Sequence, residues 1–377
     1  MVLKITAIFG VRPEAIKMAP VIKAFREHPD RFSLKVLVTA QHREMLDQVL
    51  EHFRIVPDWD LDIMTPRQTL TQTTTRALEG IERVLVAHRP DLVLVHGDVA
   101  TTVAGALAAY YQKIPVGHVE AGLRTGDKYA PFPEEMCRRL TDALSDLHFA
   151  PTTWARDNLL REGIDPKGIF VTGNTAIDAL LLTVDSGYRF STVGHVLDRE
   201  RRLIVVDVHR RENFGPGIRN VCEAVAEAAS RRPDIYFIFS VHRNPEVEEI
   251  ARTVLSSVPR VHLFEPLPYP EWANLLSRAY LILTDSGGLQ EEAPSLGTPV
   301  LLCRETTERP EAIQAGTVRM VGTDKQRILA TLNLLLDSPE EYDRMSRASN
   351  PYGDGNASWR IVKAVANRFG LGLESER

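Results

Sequence analysis

Two acids stand at the ends of neighbouring apolar runs in the first half of the chain: Asp98 closes DLVLVHGD (91–98), and Glu120 follows the apolar part of IPVGHVEAG (114–122). One helical segment separates the runs, so they predict consecutive parallel strands ending at one edge, roughly 5 Å apart where strands pair directly. A third acidic group, Glu134 and Glu135 in PFPEE, follows at a helix start. Carboxylates gathered at one ligand edge repel each other, which raises at least one pKa toward neutrality and suits moving a proton to and from carbon. The same acids also fit structural parts, with Asp98 capping a helix that starts at Thr101, and Glu134 and Glu135 complementing a helix dipole. Three acids at one edge favour the chemical reading for at least one of them.

The second half carries a different signal, LILTDSGGLQEE (281–292). It reads as a strand, a tight turn and a helix whose first amides are unsatisfied and partly positive. Gly287 and Gly288 let a phosphate approach the backbone, and Ser286 adds a hydroxyl donor. Glu291 and Glu292 lie too far along to compete for that phosphate, but one of them can turn back to accept from sugar hydroxyls, which together suggests a nucleoside diphosphate with a free ribose. Taken alone, SGG is equally a simple tight turn. Further basic groups follow other strands: Arg12 and Lys17 in GVRPEAIK (10–17), His209 to Arg211 in HRREN (209–213), and Arg309 in TERPE (307–311). Arginines of this kind grip a pyrophosphate bidentately. His96 and His118 form H-x-D and H-x-E with Asp98 and Glu120, yet no helix carries histidines four apart and H-E-x-x-H is absent, so no metal is expected. G-x-G-x-x-G, G-x-S-x-G and the P-loop are absent too.

Holding these groups requires strands that end at one edge. Apolar runs at 3–10, 34–40, 91–98, 114–122, 147–152 and 168–174 alternate with amphipathic stretches at 14–27, 43–53, 72–88, 101–112 and 134–146. The rhythm restarts with runs at 202–210, 234–242, 260–266, 279–285 and 298–304, separated by helical stretches at 217–231, 245–256, 270–278 and 288–296. Strands alternating with helices predict α/β architecture: two Rossmann-like doubly wound domains with a ligand between them. The polar, weakly periodic stretch 183–201 reads as a hinge, and a last helix is expected near 357–369.

At 377 residues, two domains are the default. A net charge of -5 and a pI near 6.2 argue against nucleic acid or an anionic membrane as main partner. Cys137, Cys222 and Cys303 form no C-x-x-C pair, no apolar run approaches the roughly 20 residues of a membrane span, and the N-terminus lacks signal-peptide features. These features predict a soluble cytoplasmic protein.

The series FGVRPEAIKMAP, TAQHREMLDQVL, VHGDVATT, PVGHVEAGLRTGD, PFPEE, VTGN, HRREN, VHRNPEV, TDSGGLQEEAPSLGTPVL, TTERPEA and NPYGDG resembles the non-hydrolysing UDP-N-acetylglucosamine 2-epimerases, in order over nearly the whole chain. The resemblance implies a GT-B-like fold with an interdomain cleft: a first domain over 1–171 plus the C-terminal helix at about 356–377, and a UDP-binding domain over 172–355. It implies reversible inversion at sugar carbon 2 between UDP-GlcNAc and UDP-ManNAc, by elimination of UDP to 2-acetamidoglucal and re-addition, with neither metal nor NAD. By motif, Asp98, Glu120 and Glu134 become the acid/base carboxylates and His209 assists departure of UDP. Arg12 and Lys17 contact phosphate or sugar, Ser286, Gly287 and Gly288 the diphosphate, Glu292 the ribose and Arg309 the sugar side. A regulatory UDP-GlcNAc position matches Gln41, His42, Arg67, Gln68, Arg210 and His242, and a homodimer is expected. The chain departs from the pattern at Val99 and Ala100, where Thr or Asn is usual, and at Cys137, usually Asn. It departs again at Asp207 and Val208, usually Thr and a small residue, and at Ser240, usually Pro. These departures keep two other readings open, a 2-epimerase of a modified UDP sugar such as a diacetamido uronic acid, and a catalytically weak UDP-sugar-binding paralogue.

Overall fold

A computed structural model describes residues 2–40, 43–307 and 309–373 of the chain. It divides into two compact units, Met1–Leu182 with Tyr352–Arg377, and Thr183–Pro351. The first unit is built on seven parallel strands: β1 (Leu3–Phe9), β2 (Phe32–Val38), β3 (Trp59–Asp60), β4 (Leu92–His96), β5 (Val116–Val119), β6 (Leu147–Ala150) and β7 (Ile169–Val171). Their spatial order is β3-β2-β1-β4-β5-β6-β7. The second unit has six: β8 (Arg202–Asp207), β9 (Ile235–Ser240), β10 (Val261–Phe264), β11 (Leu281–Thr284), β12 (Val300–Leu302) and β13 (Val318–Met320), in the order β10-β9-β8-β11-β12-β13. Central strands such as β4 and β9 are buried at every position, because helices cover both faces of a parallel sheet.

Both sheets are doubly wound, and each reverses its winding once, between β1 and β4 and between β8 and β11. At such a switch point the flanking loops part, leaving a crevice beyond the strand ends. Register sets what lines it. Ile8 of β1 pairs with Val95 of β4, so the Gly10–Arg12 turn and the Gly97–Asp98 turn leave the sheet side by side. Asp207 of β8 pairs with Thr284 of β11, which brings His209 and the Asp285–Gly288 turn to one place.

The C-terminal helix Ala357–Arg368 buries Ile361, Val362 and Val365 in the core that also holds Ala15, Met18 and Ile22 of the helix Arg12–Arg26. Asp178 fastens its start by accepting from Ala357 N (3.2 Å) and Ser358 N (2.7 Å). The stretch 183–201 opens the second unit and is anchored within it. Glu271, 1% exposed, accepts from Ser191 Oγ, Val193 N, and both Thr192 N and Oγ1. Asn274 bonds Asp185 N and the Thr183 carbonyl. Among the described residues no helix is long and apolar enough to cross a membrane.

Candidate active site

In the first unit, Gly97 turns the chain out of β4 with φ +70°, and Asp98 follows. Asp98 does not cap the next helix: Val99 occupies the N-cap position of Ala100–Tyr111, and its amide donates to Thr102 Oγ1 at 3.2 Å. The carboxylate instead accepts from Arg138 through Nε (3.0 Å) and Nη2 (2.6 Å). Glu120 sits at the end of β5 with φ +69°, a left-handed conformation that non-glycine residues seldom adopt and that costs on the order of 1–3 kcal/mol. Its own amide and that of Ala121 both donate to the Phe149 carbonyl at 3.1 Å, which holds the strained residue in place. The Glu120 carboxylate pairs with Lys17, accepts from Asn174 Nδ2 at 3.1 Å and lies 3.9 Å from His96 Nε2.

Glu134 and Glu135 open the helix Glu134–Leu144 but do different things. Glu135 is fully buried and holds the 125–126 turn, accepting from Thr125 N (3.0 Å) and Gly126 N (3.3 Å), and also pairs with Arg139 (3.2 Å). Glu134 keeps a buried Oε2 that no hydrogen bond among the described residues engages. Asp98 and Glu134 both act on the thiol of Cys137, which burial and then these two charges push up to about 11. The acids of β4 and of the PFPEE loop therefore share one neighbourhood.

Buried polar groups hold this edge. His118, two residues before Glu120, places Nδ1 2.6 Å from Asp142 Oδ1 and Nε2 2.8 Å from the Gly97 carbonyl, so both ring nitrogens face acceptors. Asp142 also accepts from Arg124 (2.7 Å) and Gly122 N (3.2 Å). Burial alone would raise the Asp142 pKa, but the His118 and Arg124 charges outweigh it and hold the carboxyl below its usual range. His96 is the opposite case: burial pushes it down to about 3, so it is neutral at physiological pH.

Glu14 spans the crevice floor. Its Oε2 accepts from Gly10 N (2.7 Å) and Val11 N (3.1 Å), and its Oε1 lies 2.9 Å from Thr102 Oγ1. That hydroxyl also lies 2.7 Å from the His96 carbonyl and has one proton to give. Every partner is satisfied when Glu14 carries its own proton and donates to Thr102, in line with a pKa that burial pushes up to about 7. Arg12, half-buried at the first position of its helix, has no carboxylate partner among the described residues, and burial lowers its pKa.

In the second unit, Asp285 is fully buried and faces inward rather than toward a ligand. It accepts from His209 N (2.9 and 3.1 Å), Arg210 N (3.0 Å) and Asn213 Nδ2 (2.8 Å), and so shapes the turn that carries His209. The His209 ring lies 3.3 Å from Asp207 Oδ1 through Nδ1 and stacks on His242, with centroids 5.4 Å apart at 19°. Burial opposes protonation of His209, but the Asp207 hydrogen bond and the Asp207 and Asp285 charges overcome it, leaving the pKa raised.

Ser286 takes the N-cap position of the helix Gly287–Glu292 without a side-chain cap. A Cβ on Gly287 would stand 2.6 Å from Arg309 Nη1, so glycine is what lets the guanidinium lie over the turn. Arg309 is held there by Glu291, 1% exposed, through Nε at 2.6 Å. Glu292 folds back over the helix start, its Oε1 3.7 Å from where a Gly288 Cβ would be. Of the expected regulatory residues, Gln41 and His42 lie outside the described residues. Arg67 is exposed with φ +58°, and Gln68 is tied to Thr65 Oγ1 at 3.2 Å. Arg210 and His242 adjoin His209 in the second unit.

The family model described as UDP-N-acetylglucosamine 2-epimerase matches residues 23–366, most of the chain, leaving out β1, most of the helix Arg12–Arg26 and the end of the helix Ala357–Arg368. The chain belongs to that family. It is 54% identical over 372 residues to the UDP-N-acetylglucosamine 2-epimerase of Escherichia coli K12, covering 97% of this chain and 99% of that one. The enzyme of the same name from Bacillus subtilis 168 is 52% identical over 372 residues, covering 99% and 97%. The crystal structure of UDP-GlcNAc 2-epimerase from Neisseria meningitidis bound to UDP-GlcNAc superposes with a TM-score of 0.87 at 48% identity, covering 97% of this chain and 100% of that one. Its fold class is thus that of the GT-B-like epimerases.

Several residues of this epimerase-family site escaped the sequence reading. Arg138 was findable, since it stands four positions after Glu134 and shares its helix face. Glu14 had a local signal, an acid at the third position of a helix that reaches back to Gly10 N and Val11 N, whereas Asp142 and Asp285 had none, because each binds backbone groups of a turn distant in sequence.

Proposed function

We propose that the chain interconverts UDP-N-acetylglucosamine and UDP-N-acetylmannosamine, the reaction for which its half-identical relatives are named. A carboxylate takes the carbon-2 proton, the C–H electron pair becomes the carbon 1–carbon 2 double bond, and the carbon 1–oxygen bond breaks to release UDP. The resulting 2-acetamidoglucal then receives a proton on its other face while a UDP oxygen re-forms the bond to carbon 1. Atoms and electrons balance without an oxidant or reductant. Asp98, Glu120 and Glu134 act as the acid/base groups. Charge on the departing diphosphate is met by the imidazolium of His209 and by Arg12, the Ser286–Gly288 turn and Arg309, donors that favour the charged leaving group. Lys17 orients Glu120, and Glu292 takes the ribose hydroxyls.

The observation that carries this reading is the convergence at one sheet edge of an arginine-bound Asp98, a strained Glu120 and a Glu134 with an unengaged buried oxygen. We further assign a regulatory UDP-GlcNAc position to Gln41, His42, Arg67, Gln68, Arg210 and His242, and a cytoplasmic homodimer supplying cell-surface polysaccharide synthesis.

The test is incubation with UDP-GlcNAc followed by proton NMR of the anomeric signals. Approach to one mixture of the two UDP sugars from either side supports the proposal. Irreversible release of free N-acetylmannosamine with UDP, or no change beside a turnover of an oxidised UDP sugar, overturns it.

A further inference from the structure

Strand β8 ends in Asp207, and two residues later the chain presents His209. Two carboxylates approach the ring. Asp285 Oδ1 is 3.8 Å from Nδ1, but Asp285 already receives three donors, from His209 N, Arg210 N and Asn213 Nδ2. Asp207 Oδ1 is closer to Nδ1, at 3.3 Å, and no other side chain among the described residues bonds it. The two nitrogens of an imidazole lie on opposite sides of the ring. A proton held on Nδ1 by Asp207 therefore leaves Nε2 as the nitrogen that donates outward.

The stacked His242 ring fits one charge and not two. Its pKa is lowered, by burial first and then by the charge of His209, so of the two stacked rings His209 takes the positive charge first. The groups facing His209 are thus Asp207 and Asp285, which favour its charge, and Arg210 and His242, of which Arg210 opposes it.

We propose that Asp207 is a positioning residue that orients His209 through Nδ1 and keeps it an imidazolium, so that Nε2–H meets the charge on a departing nucleoside diphosphate. The role of the ring in departure rests on the epimerase reading above; its coupling to Asp207 does not. Threonine, usual at this position in the resembled family, accepts a hydrogen bond but brings no charge. The coupling is therefore a property of this chain's own residue.

Two measurements separate the possibilities. In the wild-type protein, nitrogen-15 histidine NMR at alkaline pH is expected to show neutral His209 as the Nδ1–H tautomer; a dominant Nε2–H tautomer overturns the proposal. In Asp207→Asn and Asp207→Thr, the His209 titration midpoint should fall by about 1 pH unit, the low end for an opposite charge this close at a partly exposed site. The alkaline limb of kcat should move with it, KM changing less than kcat, while Asp207→Glu restores part of the shift. An unmoved midpoint in a folded variant overturns the proposal. A wild type that binds UDP-GlcNAc without turnover would sink the epimerase reading while leaving the titration to decide the coupling.

Discussion

Asp285→Asn keeps the shape of the side chain and removes its charge, at a site where every donor is accounted for. Oδ2 receives Arg210 N, Asn213 Nδ2 and part of the bond from His209 N, while Oδ1 receives only His209 N at 2.9 Å. An asparagine that places its oxygen at the Oδ2 position puts its NH2 against the His209 N–H, donor facing donor. An unsatisfied buried amide costs about 1–3 kcal/mol, and two bonds that lose their charge assistance cost roughly 0.5–1 kcal/mol each. Relief of the buried charge offsets part of this, so the net loss is roughly 3 kcal/mol. Trp272 is the one tryptophan of the four that lies in the second unit, the others being Trp59, Trp154 and Trp359. With those three replaced by Phe, urea unfolding followed by fluorescence reports this unit. At a slope of about 2 kcal/mol/M the midpoint should fall by about 1.5 M. A midpoint within about 0.3 M of the parent would refute the reasoning that the Asp285 charge holds the turn carrying His209.

Two further perturbations act on the first unit. Glu14 has a folded pKa of about 7 against an ordinary 4.5, so the folded state holds the extra proton between those values. Its contribution is fully present below pH 4.5 and is lost as pH rises through 7, a change of roughly 3 kcal/mol. Glu14→Gln should flatten the decline in stability between pH 5 and pH 8, and equal declines in both proteins would count against a protonated Glu14. Asp142 has a lowered folded pKa, so its contribution is present above the unfolded value and disappears as pH falls through the folded one. Asp142→Asn takes away the buried carboxylate that His118 Nδ1 and Gly122 N face and leaves Arg124 with Glu162 alone, at a cost of roughly 3 kcal/mol. Calorimetry should show the first unit melting on the order of 10 °C lower at pH 7, with a shallower loss of stability on acidification; an unchanged melt contradicts the triad.

Strands were legible because a sheet covered on both faces leaves runs with no polar interruption, and the site because a parallel sheet sends all its strand ends to one edge. The edge strand β3 is two residues long, too short to show a period, and β13 (VRM) is interrupted by Arg319, unlike the apolar runs around the equally short β7 and β12. Helices over Thr153–Arg161, Thr175–Thr183, Pro310–Ala315, Lys325–Asp337 and Pro339–Ser346 also went unassigned. Direction was harder than position. HGD and LTD look alike, yet Asp98 reaches Arg138 while Asp285 turns inward, because only the second has a neighbouring turn whose amides fold over it. Glu134 and Glu135 differ by one step on a helix, and that step decides between an oxygen with no hydrogen bond among the described residues and a buried anchor. The stretch 183–201 is polar because Ser191 and Thr192 bind Glu271, a pairing too distant in sequence to leave a local trace.

The central claim is that carboxylates of the first unit handle the carbon-2 hydrogen of a UDP sugar. Mass spectrometry of UDP-GlcNAc incubated with the protein in deuterium oxide tests it most directly. The account predicts one deuterium at carbon 2 of both epimers, with the exchange rate reduced about 10²–10⁴-fold in Asp98→Asn and in Glu120→Gln. Epimerisation by the wild type without solvent deuterium, or undiminished exchange in both variants, would contradict it.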